Sequence, residues 1–163
     1  DHIIPAGSVS RYRSNIAKSS EYVFRNLDPD FPENCRAAMA RGQAGVIVAG
    51  LSYGQGSSRE HAAICPMVLG VRAVLAKSIE RIHMANLVNF GILPLIFKSP
   101  ADYDRLEPGD LLEIEDPHGE LRRGEITLLH GGRQTAIAAV HQLTPRQVDI
   151  VLGGGLLNHV AAR

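Results

Sequence analysis

Three short apolar runs, AGVIVAG at 44–50, VRAVLAKS at 71–78 and ILPLIF at 92–97, constrain the fold most, because the segments between them carry helical periodicity. Short β-branched runs bounded by glycine suit strands, and AGVIVAG suits one buried on both faces. The segment SREHAAICPMVLG places Ala62, Ala63, Met67 and Leu69 in a helical pattern with Gly70 as its stop, and Pro66 must kink or shorten that helix. IERIHMANLVNFG at 79–91 predicts a second helix ending at Gly91. The order strand, helix, strand, helix, strand predicts βαβ units and a mostly parallel sheet.

After residue 98 the pattern changes. DLLEIED, ELRRGEITLL and TAIAAV read as antiparallel strands separated by PHG and HGGR turns. TPRQVDIVLGGG opens with a Thr cap and a first-turn Pro, so a helix closes the chain. Upstream, residues 14–43 read as an extended connection holding two helical pieces, NIAKSSEYVFRN and ENCRAAMARG. No internal repeat, low-complexity tract or linker divides the 163 residues, a length that supports one core, so a single domain over 1–163 is expected.

Seventeen basic residues balance seventeen acidic ones, which argues against a nucleic-acid partner, since phosphate binding calls for a basic surplus. No apolar run reaches 18 residues and no signal peptide opens the chain, so neither a membrane span nor secretion is expected. Cys35 and Cys65 are far apart and in no metal-ligand spacing, so the chain by itself offers no metal cage. A reduced, cytoplasmic setting is the corresponding expectation. The chain begins at Asp1 without an initiator Met, as a processed or excised piece of a longer protein would.

The chemistry concentrates in YGQGSSREHAA at 53–63, a strand-to-helix connection by its position after AGVIVAG. Its glycines permit backbone angles closed to other residues, and free N–H groups at a helix start, with the helix dipole, attract an anion. Arg59 adds a planar fork suited to carboxylate or phosphate, and Ser57 and Ser58 add hydroxyls. The structural alternative is a capping box, Ser57 with Glu60 three residues on. Neither phosphate-loop fingerprint matches, because no Lys follows the glycines and no third glycine closes the turn, so a nucleotide site is not expected. His61, four residues from Ser57 on the helix, reads as a packing or surface residue. Oriented N–H donors and Arg59 could instead make Ser57 basic by electrostatics.

YGQGSSREHAA followed by LGVRAVLAKSIERIHMANLVNFGILPLIF, with SPADYDR at 99–105, resembles the swivelling C-terminal domain of the aconitase family. The resemblance runs from DHIIPAG to GGGLLNH, and RSNIAKSSEYVF with DPDFP is most similar to the compact bacterial type. It implies an α/β fold, a swivelling β/β/α domain with a mixed, partly barrel-like sheet and surrounding helices, at the C-terminal end of a longer iron–sulfur hydro-lyase. It implies reversible dehydration of citrate and isocitrate through cis-aconitate, with a [4Fe-4S] cluster ligated outside this chain. Its partners would be a tricarboxylate substrate and the cluster-bearing domains or a large subunit.

By the same resemblance Ser57 matches the base that removes the carbon-bound proton, and Ser58 and Arg59 match substrate-binding positions. Arg13, in RYRSN, matches the arginine that holds a distal carboxylate, and Asp1 an active-site aspartate. One departure stands out: larger aconitases carry serine after DHI, whereas Ile4 stands here, and IIPA is similar to the small subunit of isopropylmalate isomerase. That subunit, or its homoaconitate counterpart, is the alternative reading; Arg13 opposes isopropylmalate, whose apolar group would leave a buried guanidinium unpaired. A non-enzymatic RNA-binding module is the third reading, and zero net charge opposes it. His83 reads as structural, Arg72, Lys77 and Arg81 as mostly a solvated face, and HGG at 130–132 and GGG at 153–155 as turns.

Overall fold

In the computed structural model, residues 2–5, 7, 10–12, 14–56, 60–132 and 135–162 are described, Ser10 through its backbone alone. The chain enters through a 3₁₀ turn, Ser10–Tyr12, and two helices, α1 (Ile16–Ser20) and α2 (Phe31–Ala40). Asn15 caps α1, its side chain accepting from the Lys18 N–H at 2.9 Å. The three apolar runs then form β1 (Gly45–Ala49), β2 (Val71–Ala76) and β3 (Leu93–Phe97), joined by α3 (His61–Val68) and α4 (Arg81–Asn89). β1 and β3 both pair with β2 in parallel, as the sequence pattern implied.

Pro94 sits inside β3, where a missing N–H normally breaks a ladder. β3 meets its other neighbour only through Ile96 and Phe97, so Pro94 stands beyond that ladder. That neighbour is β6 (Thr135–Val140), which continues antiparallel into β5 (Glu125–His130) and then β4 (Leu112–Glu113). The sheet order is β1-β2-β3-β6-β5-β4.

Six strands laid flat would hold their edges about 24 Å apart at about 4.8 Å per step. Val46 and Val48 of β1 nevertheless line the same cleft as Leu112 and Glu113 of β4, so the sheet curls until its two edges face each other. The barrel stays open between them. Side chains alternate accordingly: Val74 and Ala76 of β2 join one buried cluster with Cys65 and Leu87, while Ala73 and Leu75 join a second with Leu95, Ile126 and Ile137.

Three expectations are corrected. β1 is not buried on both faces: it is an edge strand, and Val46 and Val48 are 38% and 37% exposed because no helix covers the side toward the cleft. DLLEIED contributes only the two residues of β4. ELRRGEITLL is not one strand, because α5 (Pro117–Arg123) precedes β5. PHG is the first turn of that helix: the Asp116 side chain accepts from the Gly119 N–H at 2.9 Å, Pro117 takes the position where a missing N–H costs nothing, and Gly124 at φ +83° ends it.

The closing helix α6 (Pro145–Leu152) carries the expected Thr cap, completed as a capping box with Gln147. GGG at 153–155 is a turn, and a further short helix, α7 (Leu156–Ala161), follows it. The glycines also allow close contact. A Cβ at Gly91, where φ is +71°, would stand 2.5 Å from the carbonyl carbon of Gly154, so the end of α4 rests on the α6–α7 turn backbone to backbone. Gly91→Ala should therefore cost about 2 to 4 kcal/mol through strained φ and overpacking, read as a lower urea midpoint at unchanged m-value.

Candidate functional site

The carboxyl ends of neighbouring parallel strands form a crevice where α/β sheets bind ligands. Here the connection after β1 is stitched onto the one after β2. The Ser52 N–H donates to Ser78 Oγ at 2.7 Å, the Tyr53 N–H to the Ser78 carbonyl at 2.9 Å, and the Glu80 N–H to the Tyr53 carbonyl at 2.9 Å. Tyr53 and Ile79 form an isolated parallel bridge, so the β1–β2 pairing resumes past the sheet. Within the turn the Gln55 N–H donates to the Ser52 carbonyl at 3.0 Å. Gly54 at φ +84° and Gly56 at φ +116° take angles that side-chain-bearing residues rarely adopt, which is why glycine stands at both.

Past this turn, Glu60 stands at the N-cap of α3, without a side-chain cap bond, and His61 is its first residue, half-buried. A capping box would set Glu60 three positions further into the helix. The expected base Ser57 and the expected binding residues Ser58, Arg59, Arg13 and Asp1 all lie outside the described residues. The frame on either side of them is described. Tyr12, before Arg13, stacks on Tyr22 at 6.0 Å between ring centres, and α1, after it, packs against α3. The helix that follows Arg13 and the helix that follows Arg59 are therefore neighbours.

An open cleft of about 1610 Å³ runs from this turn along the concave side of the sheet. Tyr53, Gly54 and Gln55 line it, with Val46 and Leu111, and His2 and Ile3 border it from the chain's start. Ile4, the residue that departs from the larger aconitases, is 5% exposed and packs in the cluster of Val23, Cys35, Ile47 and Tyr53. At this position the fold uses an apolar anchor. The Ile3 carbonyl, accepting from the Phe24 N–H at 3.0 Å, fixes the segment beside it.

Of the basic residues read as mostly a solvated face, Arg72 and Lys77 are each held locally. Arg72 is tied to the Met67 and Val71 carbonyls at 3.0 Å each, and Lys77 lies over the Tyr103 ring, 4.5 Å from its centre. Cys35 and Cys65 are both buried, and burial pushes each thiol up to about 11, with Asp28 adding to the effect at Cys35. Cluster ligation needs thiolates, so these two cysteines do not fit an iron–sulfur centre. Among the described residues no group of three or more His, Cys, Asp or Glu side chains is arranged to hold a metal ion, and no helix is long and apolar enough to cross a membrane.

Sequence reasoning gave no role to the ring pair beneath the turn. Tyr53 and His83 are 8% and 4% exposed, their rings edge to face at 5.2 Å, and among the described residues neither Tyr53 Oη nor His83 Nε2 has a hydrogen-bond partner. Burial lowers the His83 imidazole from 6.5 to about 4 and raises the Tyr53 phenol above its ordinary range. Thirty positions separate the two in the chain, so no local motif announces the contact.

The family model for the aconitase C-terminal domain matches residues 10–100, which include the turn and both strands that position it. The chain belongs to this family. It is 32% identical over 183 aligned positions to a mitochondrial aconitate hydratase of Arthroderma benhamiae, covering 100% of this chain and 24% of that protein. It is 30% identical over 185 positions to the mitochondrial homocitrate dehydratase of Saccharomyces cerevisiae, covering 98% and 23%. Among solved structures, the 3-isopropylmalate dehydratase (leuD) of Methanocaldococcus jannaschii superposes with a TM-score of 0.76 at 30% identity, over 100% of this chain and 86% of that one. This aconitase swivel-domain chain thus spans about a quarter of the length of the two curated relatives. The cytoplasmic setting expected from the sequence is overturned by those relatives, which are mitochondrial.

The buried imidazole gives the domain a pH dependence of known sign. With a folded value near 4 against 6.5 unfolded, the unfolded chain binds the proton first. The His83 contribution is complete above pH 6.5 and is lost as pH falls toward 4, by about 3 kcal/mol in all. Denaturant midpoints measured from pH 7 to pH 4 should fall less steeply in His83→Phe than in the parent chain.

Proposed function

We propose that residues 1–163 are a single swivel domain, a C-terminal portion of a longer iron–sulfur hydro-lyase, supplying the base and substrate-binding groups of an aconitate hydratase. The [4Fe-4S] cluster would be ligated outside this chain, by cluster-bearing domains or a large subunit. The reaction is the isomerisation of citrate and isocitrate through cis-aconitate. The observation that carries this reading is the family match across a glycine turn seated at the carboxyl ends of two parallel strands and opening on a cleft.

The chemistry then follows from the residue types. The proton to be removed is carbon-bound and flanked by carboxylates, so it is weakly acidic and its base must be strong. Ser57 takes it, and N–H donors and Arg59 beside Ser57 stabilise negative charge without waiting for solvent to reorganise. Arg59 and Ser58 grip one carboxylate and orient the substrate, which counts for more than affinity when it fixes the geometry of attack. Arg13 holds the distal carboxylate, and Asp1 completes the binding set. Loss of the Arg59 contact would cost on the order of 2 to 5 kcal/mol, the range for a buried charged pair.

A second reading is favoured by two observations. The solved isopropylmalate dehydratase chain is nearly this length, and Ile4 is a core residue in a segment that resembles the isomerase small subunit. The two readings differ in what occupies the space before Arg13, a carboxylate or an apolar group. With the domain joined to its cluster-bearing region, hydration of cis-aconitate should outpace that of isopropylmaleate; the reverse order would hand the assignment to the second reading. Ser57→Ala should lower kcat by at least about a thousandfold with the fold intact by circular dichroism, as expected when an activated group is removed. Arg13→Leu should raise KM for the tricarboxylate while leaving isopropylmaleate less affected, and equal losses on both would remove Arg13 from the specificity argument.

A further inference from the structure

We infer that His83 is a positioning residue, its ring forming the seat on which Gly54 and the turn leading to Ser57 rest. The inference rests, for its catalytic consequence, on the proposed role of Ser57. A Cβ built on Gly54 would stand 2.3 Å from His83 Cγ and 2.4 Å from both Cβ and Cδ2. The backbone of the turn therefore lies directly on the imidazole, with no room for a side chain between them. Tyr53, one residue earlier, closes on the same ring edge to face. On the other side, His83 is carried by α4, whose preceding residues Ser78–Glu80 hold the Ser52–Tyr53 backbone through three hydrogen bonds, one at Ser52 and two at Tyr53. One short stretch of chain is thus gripped along its backbone and supported from below by one ring.

The chemistry of the seat points the same way. Tyr53 Oη and His83 Nε2, two buried polar atoms without partners among the described residues, are costly to fold relative to paired ones. An aliphatic side chain at 83 would avoid the His83 cost but would offer no flat surface for a glycine at φ +84° to lie against. Burial keeps the imidazole uncharged at neutral pH, so the surface against which Gly54 lies is a neutral ring. Both rings and Gly54 line the cleft, which places the support at the wall of the site. Of the groups adjoining the ring, Tyr53 is protonated and Glu80 and Arg81 open α4 at the surface.

Two measurements on His83→Ala and His83→Phe test this. In the chain itself, native-state hydrogen exchange at the Tyr53 and Gln55 amides should quicken by at least about tenfold in His83→Ala and by less than about threefold in His83→Phe, which keeps a flat ring. In the complete enzyme, His83→Ala should lower kcat about 30-fold or more with KM within about threefold, and His83→Phe should restore most of it. Unchanged exchange at those amides in His83→Ala would overturn the seat, whatever Ser57 does. Faster exchange with kcat intact would overturn its role in positioning. Should His83→Ala fail to fold, Gly54→Ala probes the same contact from the turn: it should reproduce the kcat loss, and full activity there would overturn the inference. The Ser57→Ala enzyme is the control, since turnover retained there removes the base assignment while the exchange result stands by itself.

Discussion

The parallel register between β1 and β2 is the constraint from which the site derives. It continues beyond both strands as the Tyr53–Ile79 bridge, so the start of the glycine turn is held as an extension of the sheet. Loops normally owe their mobility to a backbone that bonds only to water. This one spends its first N–H groups on Ser78 and returns a carbonyl to Glu80. Placement of the glycine turn thus begins with an ordinary strand pairing several residues upstream.

The same sheet explains why the domain presents a wall and not a closed barrel. Its inner face is filled around Leu75, Leu95, Ile126 and Ile137 but is left uncovered along β1 and before β4. The result is asymmetric, with one side packed for stability and one side open. The α/β half supplies the turn, and the antiparallel half curls round to set the far wall.

Much of the fold was legible in the sequence because its signals are local. Apolar runs of strand length, helix stops at Gly70 and Gly91 and the Thr144 cap all lie within a few residues of the elements they define. Where the reading failed, a local signal was outweighed: Asp116-Pro117 announced a helix start, but the alternation in ELRRGEITLL suggested a strand. The exposure of β1 could not be read at all, since whether a strand is central or at an edge depends on pairing order, which is a property of the whole chain. The turn at 53–63 was legible as chemistry because glycines, hydroxyls and an arginine seldom share so short a span. The His83 seat was not, because its evidence is the absence of a side chain at Gly54 matched to a ring from another helix.

The two unpaired borders of the sheet are also a liability. β1 presents a free backbone edge of five residues, with Val46, Val48 and Leu51 exposed alongside it, whereas β4 is only two residues long. Edges of that kind recruit strands from other molecules. At high concentration the chain would tend to associate through β1. A charge introduced at Val48 would then improve its solubility in isolation.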